Sequence, residues 1–84
     1  MKNTLAWAVP EHTLPAILRY INDHIEPGGF LVAVLSNDLK ESFARADIEN
    51  REALFNIVAY LYNEAPENCW GSPEKVKAWL KNKP

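Results

Sequence analysis

Cys69, His12 and His24 are the side chains in this sequence with the clearest chemical reach. A thiol beside an imidazole is a nucleophile with its base. Nothing in the spacing brings these three together, and a single cysteine next to Trp70 reads as a small packing residue. The histidines follow acids, as Glu11-His12 and Asp23-His24. Metal ligands on one helix face stand three or four residues apart, and these pairs are adjacent. Gly28-Gly29 precedes an apolar run, where backbone amides at a helix start can cradle an anion. The longer glycine spacing and the lysine of a phosphate loop are missing, so a tight turn is the simpler reading. Neither a catalytic residue, nor a metal ligand, nor a cofactor is expected.

Asn37, Asp38, Glu41 and Arg45 form a polar group at helical spacing. Glu41 precedes Arg45 by four residues, the favourable orientation for a surface ion pair. Three readings stand open. The group is a solvated face, or Asn37 and Asp38 turn inward and bond neighbouring helix ends, or it is a recognition site. Tryptophan is enriched at the energetic centres of interfaces. Trp7 and Trp70 are expected to be exposed, while at least one of Trp7, Trp70 and Trp79 is needed in a small core. The candidate partner-binding residues are therefore Trp7, Trp70, Asn37, Asp38, Glu41 and Arg45.

What must position these residues is a single small domain. Eighty-four residues cannot be split into two pieces that each bury a core. Hydrophobic residues make up 48% and charged residues 24%, an ordinary globular balance that excludes long disorder. The longest apolar run, Phe30–Leu35, has six residues against the roughly 20 that span a bilayer. Met1–Val9 lacks the apolar stretch and cleavage site of a secretory signal, so a cytoplasmic location is expected. One cysteine excludes an internal disulfide and any multi-cysteine zinc site. Nine basic residues face eleven acidic ones, which argues against nucleic acid as a partner. Lys75, Lys77, Lys81 and Lys83 crowd the end, where they offset a helix dipole or touch an acidic partner.

The periodicity predicts an all-α fold: an arm over 1–11, then one domain over 12–84 with four helices. In the arm, Leu5, Trp7 and Val9 alternate with alanines, as a strand-like segment laid over the core or a surface awaiting a partner. Thr13 as cap and Pro15 in the first turn open a helix over 14–25, with Leu14, Ile17, Leu18, Ile21 and Ile25 on one face. Pro27-Gly28-Gly29 closes it. Phe30–Leu35 fits a buried strand or helix, and continued spacing through Leu39 and Phe43 predicts one helix over 30–45. Asp47 caps a helix over 48–64, whose Leu54, Ile57, Val58 and Leu61 stripe is widened by Phe55, Tyr62 and Ala65. Ser72-Pro73-Glu74 opens the last helix, 73–82, with Val76, Trp79 and Leu80 inward.

The segment Pro27-Gly28-Gly29-Phe30-Leu31, with Ala33-Val34-Leu35-Ser36-Asn37-Asp38-Leu39, resembles small proteins encoded by bacteriophages and prophages. Arg45-Ala46-Asp47 with Asn50, Leu54-Phe55, Tyr60-Leu61-Tyr62 and Cys69-Trp70-Gly71-Ser72, closed by Val76 and Trp79-Leu80, fits the same pattern. The likeness covers about His12 to Leu80 and leaves the arm outside it. It implies a phage origin and no assigned activity. The expected function is a non-enzymatic protein that binds a host or phage protein and modulates a host process or host defence. Two alternatives remain: a nucleic-acid-associated helical protein using the lysine-rich last helix, or a structural homodimer that buries the wide face of the third helix.

Overall fold

The computed structural model describes residues 6–82. It contains six α-helices, and no strand occurs among the described residues. They are α1 (Leu14–Asp23), α2 (Gly29–Leu35), α3 (Leu39–Arg45), α4 (Ile48–Glu52), α5 (Leu54–Glu64) and α6 (Pro73–Lys81). Single 3-10 turns lie at Ala6–Ala8 and Glu67–Cys69. The all-α class agrees with expectation. The expected count of four is too low, because two of the anticipated helices each divide.

The helix expected over 30–45 stops at Leu35 and restarts at Leu39. Asn37 adopts φ +64°, the left-handed region that asparagine tolerates better than most residues. The Asp38 N–H reaches the Ala33 carbonyl and the Asn37 N–H reaches that of Val34, which satisfies the last carbonyls of α2. Asp38 then begins α3 by accepting the Glu41 N–H on its carboxylate. The break resets the helical phase. Leu31 and Leu35 are buried, whereas Leu39 and Phe43 on α3 point outward and Ser42 and Ala46 turn in.

The helix expected over 48–64 is interrupted at Ala53, which sits at φ −95°, ψ 7°. Asp47 caps α4 as expected, through the Asn50 N–H. The helix expected over 14–25 ends two residues early, because His24 turns left-handed at φ 59°. His24 Nδ1–H donates to the Trp79 carbonyl at 2.7 Å, and the two rings stack 4.1 Å apart. In return the Trp79 indole N–H donates to the Tyr20 carbonyl at 2.8 Å. These two bonds lock the end of α1 onto α6. Thr13 does not cap α1 with its side chain. Its hydroxyl donates instead to buried Asn50 at 2.5 Å, tying the start of α1 to α4. Ser72 caps α6 on the Lys75 N–H, as expected.

Ile17, Tyr20, Leu35, Ile57, Leu61 and Cys69 are wholly buried and form the centre of the core. Each large aliphatic side chain contributes about 1.5–3 kcal/mol by leaving water. Tyr20 hydrogen-bonds the Cys69 carbonyl at 2.7 Å, so its hydroxyl has a partner inside. Val9 belongs to the same core, and the turn Ala6–Ala8 packs on α5. The expected strand-like segment is therefore a turn; Leu5 lies outside the described residues. The molecule measures 35 × 31 × 18 Å. A helix with its side chains is about 10–12 Å across, so the slab is under two helices thick and most helices keep one side in water.

Candidate functional site

The turn Ala6–Ala8 is closed by the Val9 N–H bonding the Ala6 carbonyl at 3.1 Å. It drives Val9 inward and holds the Trp7 indole outward, 82% exposed. Trp7 overhangs a groove of about 370 Å³ that runs to the flank of α4 and α5. The groove has apolar walls from Val9, Pro10 and Ala53, and the carboxylates Glu11, Glu49 and Glu52. His12 stands at its edge, with Nε2 donating to Asp47 at 2.9 Å and Nδ1 3.5 Å from Glu49. The Asp47 carboxyl is held below its ordinary value, first by the Asn50 backbone N–H and then by His12.

Asn37 and Trp70 meet at a second groove, of about 580 Å³, with Tyr62, Ala65, Glu67 and Gly71. Its wall is set by the Gly71 N–H, which donates to the Leu35 carbonyl at 2.7 Å. Gly71 holds φ +118°, open to glycine and strained for any other residue. Asn37 is exposed, whereas Trp70, expected to be exposed, is half-buried because it packs against the core. The reading that turned Asn37 and Asp38 inward is therefore corrected. The buried polar residues are Thr13, Ser42 and Asn50, each hydrogen-bonded.

Asp38, Glu41 and Arg45 line a third groove, of about 450 Å³, between α2, α3 and Pro73. The expected Glu41–Arg45 ion pair is present at 2.9 Å, with both side chains about half exposed. A pair in that setting contributes under about 1 kcal/mol. The six candidates thus fall into three places: Trp7 alone, Asn37 with Trp70, and Asp38 with Glu41 and Arg45.

Sequence reasoning placed Val58, Phe55 and Tyr62 toward the core, and this is also corrected: Val58 lies on the exposed side, and Phe55 and Tyr62 lie further out. Both stand about four-fifths exposed, joined on the outer surface by Ile48, Leu39 and Phe43. The alternating three- and four-residue spacing from Ile48 to Tyr62 is the signal that marks them, and it runs beside the core stripe of the same helix. Arg51 connects α4 to α3, its guanidinium 4.6 Å from the Phe43 ring centre and its N–H on the Phe43 carbonyl at 3.4 Å.

The thiol of Cys69 is buried, and burial pushes it up to about 11, so it stays protonated at neutral pH. Neither histidine serves it: His24 is committed to Trp79 and His12 to Asp47. No group of three or more His, Cys, Asp or Glu is arranged to hold a metal ion among the described residues. No helix among them is long and apolar enough to cross a membrane. Of the terminal lysines, Lys75 donates to the Glu67 carbonyl at 3.4 Å, Lys77 and Lys81 are exposed, and Lys83 lies outside the described residues. Comparison with protein-family models, with curated proteins and with solved structures finds no match to this chain.

Proposed function

We propose that this chain is a non-enzymatic protein-interaction protein of bacteriophage or prophage origin. It docks on a host or phage protein in the host cytoplasm and alters a host process or host defence. The observation that carries this reading is Trp7, an indole held out in water over a groove whose walls combine Val9, Pro10 and Ala53 with three glutamates. Tryptophan contributes most to binding when a partner covers it and excludes water. The carboxylates around it favour a partner segment that brings lysine or arginine, whose cation also suits the indole face.

A tagged pull-down from bacterial lysate, read by mass spectrometry, tests the proposal. One dominant protein at stoichiometric yield, lost on Trp7→Ala and retained in 0.1 M salt, supports it. An empty result with folded bait, or turnover of a small molecule by the chain alone, refutes it. Nucleic-acid binding through the α6 lysines has weaker support, because the net charge is −2 and Lys75 is engaged by the Glu67 carbonyl. That reading requires affinity for DNA or RNA that falls steeply with salt.

A further inference from the structure

The outer side of α4 and α5 carries a second helical stripe that the core does not use. Ile48, Arg51, Phe55, Val58 and Tyr62 follow one another at steps of three, four, three and four residues. That is the spacing by which two helices interlock side chains along a seam. All five are exposed, and at 100° per residue they share one arc, opposite Ile57, Tyr60 and Leu61. The inward side carries across the interruption at Ala53, with Asn50 of α4 and Ile57 and Leu61 of α5 buried at steps of seven and four residues while the five seam residues stay exposed. Leu39 and Phe43 of α3 extend the same surface, held in place by Arg51 over the Phe43 ring.

We infer that this seam is a two-fold interface occupied by a second copy of this chain, α5 running antiparallel to α5. Three observations select a second copy. First, the seam reads almost alike in both directions from Phe55, with Val58 and Tyr62 at +3 and +7 and Arg51 and Ile48 at −4 and −7. An antiparallel pair centred on Phe55 sets Tyr62 against Ile48 of the second copy and Val58 against its Arg51, the self-complementarity that a two-fold contact requires. Second, the area fits. With an aromatic side chain at 150–250 Å², the exposed fractions leave about 700 Å² of apolar surface here. A stable interface takes about 800 Å² from each partner, whereas the largest patch on a monomer is usually about 300–600 Å².

Third, the seam carries a single formal charge, Arg51, already engaged by the ring and carbonyl of Phe43. It offers a different protein no charge pattern to read. In the antiparallel pair the two Arg51 positions lie about 12 Å apart along the helix axis, far enough for salt to screen them. This inference uses none of the Trp7 groove and stands or falls apart from the partner proposed there.

Sedimentation equilibrium of the full chain, from micromolar to about 1 mM, is the test. The expected result is twice the chain mass at the upper end. Phe55→Glu places two carboxylates together at the two-fold axis, and is expected to weaken association more than about tenfold with unchanged far-ultraviolet circular dichroism. Tyr62→Ala, a milder change, weakens it in the same direction and serves if Phe55→Glu disturbs folding. Lys77→Glu, on α6 and off the seam, leaves the dimer intact. A wild-type chain that stays monomeric to 1 mM overturns the inference, as does a dimer indifferent to both seam variants. A monomer whose capture of a different protein is lost on Phe55→Glu assigns the seam to that protein, and also overturns it.

Discussion

Ile57 and Phe55 stand two residues apart on α5, and one is wholly buried while the other is about four-fifths exposed. The inner side of this helix meets α1, α2 and the Cys69 turn in one core. Among the described residues the outer side is largely exposed, with Tyr62 at the edge of the Trp70 groove and the Arg51–Phe43 contact beside it. Both sides are apolar, so hydrophobicity alone does not say which is core. Thickness decides it: at 18 Å the slab supplies a covering layer for one side of α5 only. The inner stripe stabilises the fold, and the outer one is the surface on which the inferred two-fold contact is placed.

Paired truncations sharpen the contrast most. Leu61→Ala opens a cavity in the core and is expected to cost about 2–5 kcal/mol. That is a large part of the roughly 4–13 kcal/mol total for a chain of this length. Phe55→Ala, measured at dilutions where the chain is monomeric, is expected to change stability by less than about 0.5 kcal/mol. Urea midpoints of the two variants make the comparison, and equal losses would break it.

Buried polar contacts come next. Thr13→Val keeps the shape but leaves the Asn50 oxygen without its donor, an expected loss of about 1–3 kcal/mol by the same titration. Ser72→Ala removes the cap of α6 and should cost about 1 kcal/mol. Since α6 brings Val76 and Trp79 to the core, thermal melts should show this loss as one cooperative shift.

The smallest effect is expected at Asp47, on the exposed side. Its carboxyl titrates below the ordinary 3.8 in the folded chain, so its contribution is fully present above that value. It is lost as pH falls from there through the lower folded value. Asp47→Asn should therefore differ from wild type at pH 6 and converge with it as pH falls through the lowered folded value, a pattern that urea titrations across pH would reveal. A gap that persists unchanged into acid would show that the carboxylate charge plays no part.

Much of the inner side was legible in the sequence. Asp47 and Ser72 begin helices as their types and positions imply, and Ile17, Leu35, Ile57, Leu61 and Val76 are buried as their spacing requires. The breaks were not legible, for a local reason. A left-handed asparagine at 37 is one of several states open to Ser36-Asn37-Asp38, and only the Ala33 and Val34 carbonyls closing on it select that state. The early end of α1 is set by Trp79, 55 residues away from His24, which no local pattern contains. Phe55 and Tyr62 were misplaced because a broad apolar helix reads as central whether its second side meets its own chain or another. Of the candidate residues, the exposure of Trp7 and the Glu41–Arg45 pair followed from position and spacing. The meeting of Asn37 with Trp70 depends on the Gly71–Leu35 bond between distant segments.

The three tryptophans occupy three unlike surroundings: Trp7 in water, Trp70 at a groove wall, and Trp79 stacked on His24 with its N–H bonded. The chain thereby carries its own optical reporters, for an indole emits at shorter wavelength as water leaves it. A protein settling on Trp7 would move the emission toward the blue, while loss of the α1–α6 lock would move it toward the red. Docking and unfolding would then be separable in one unlabelled sample by the direction of a single spectral shift.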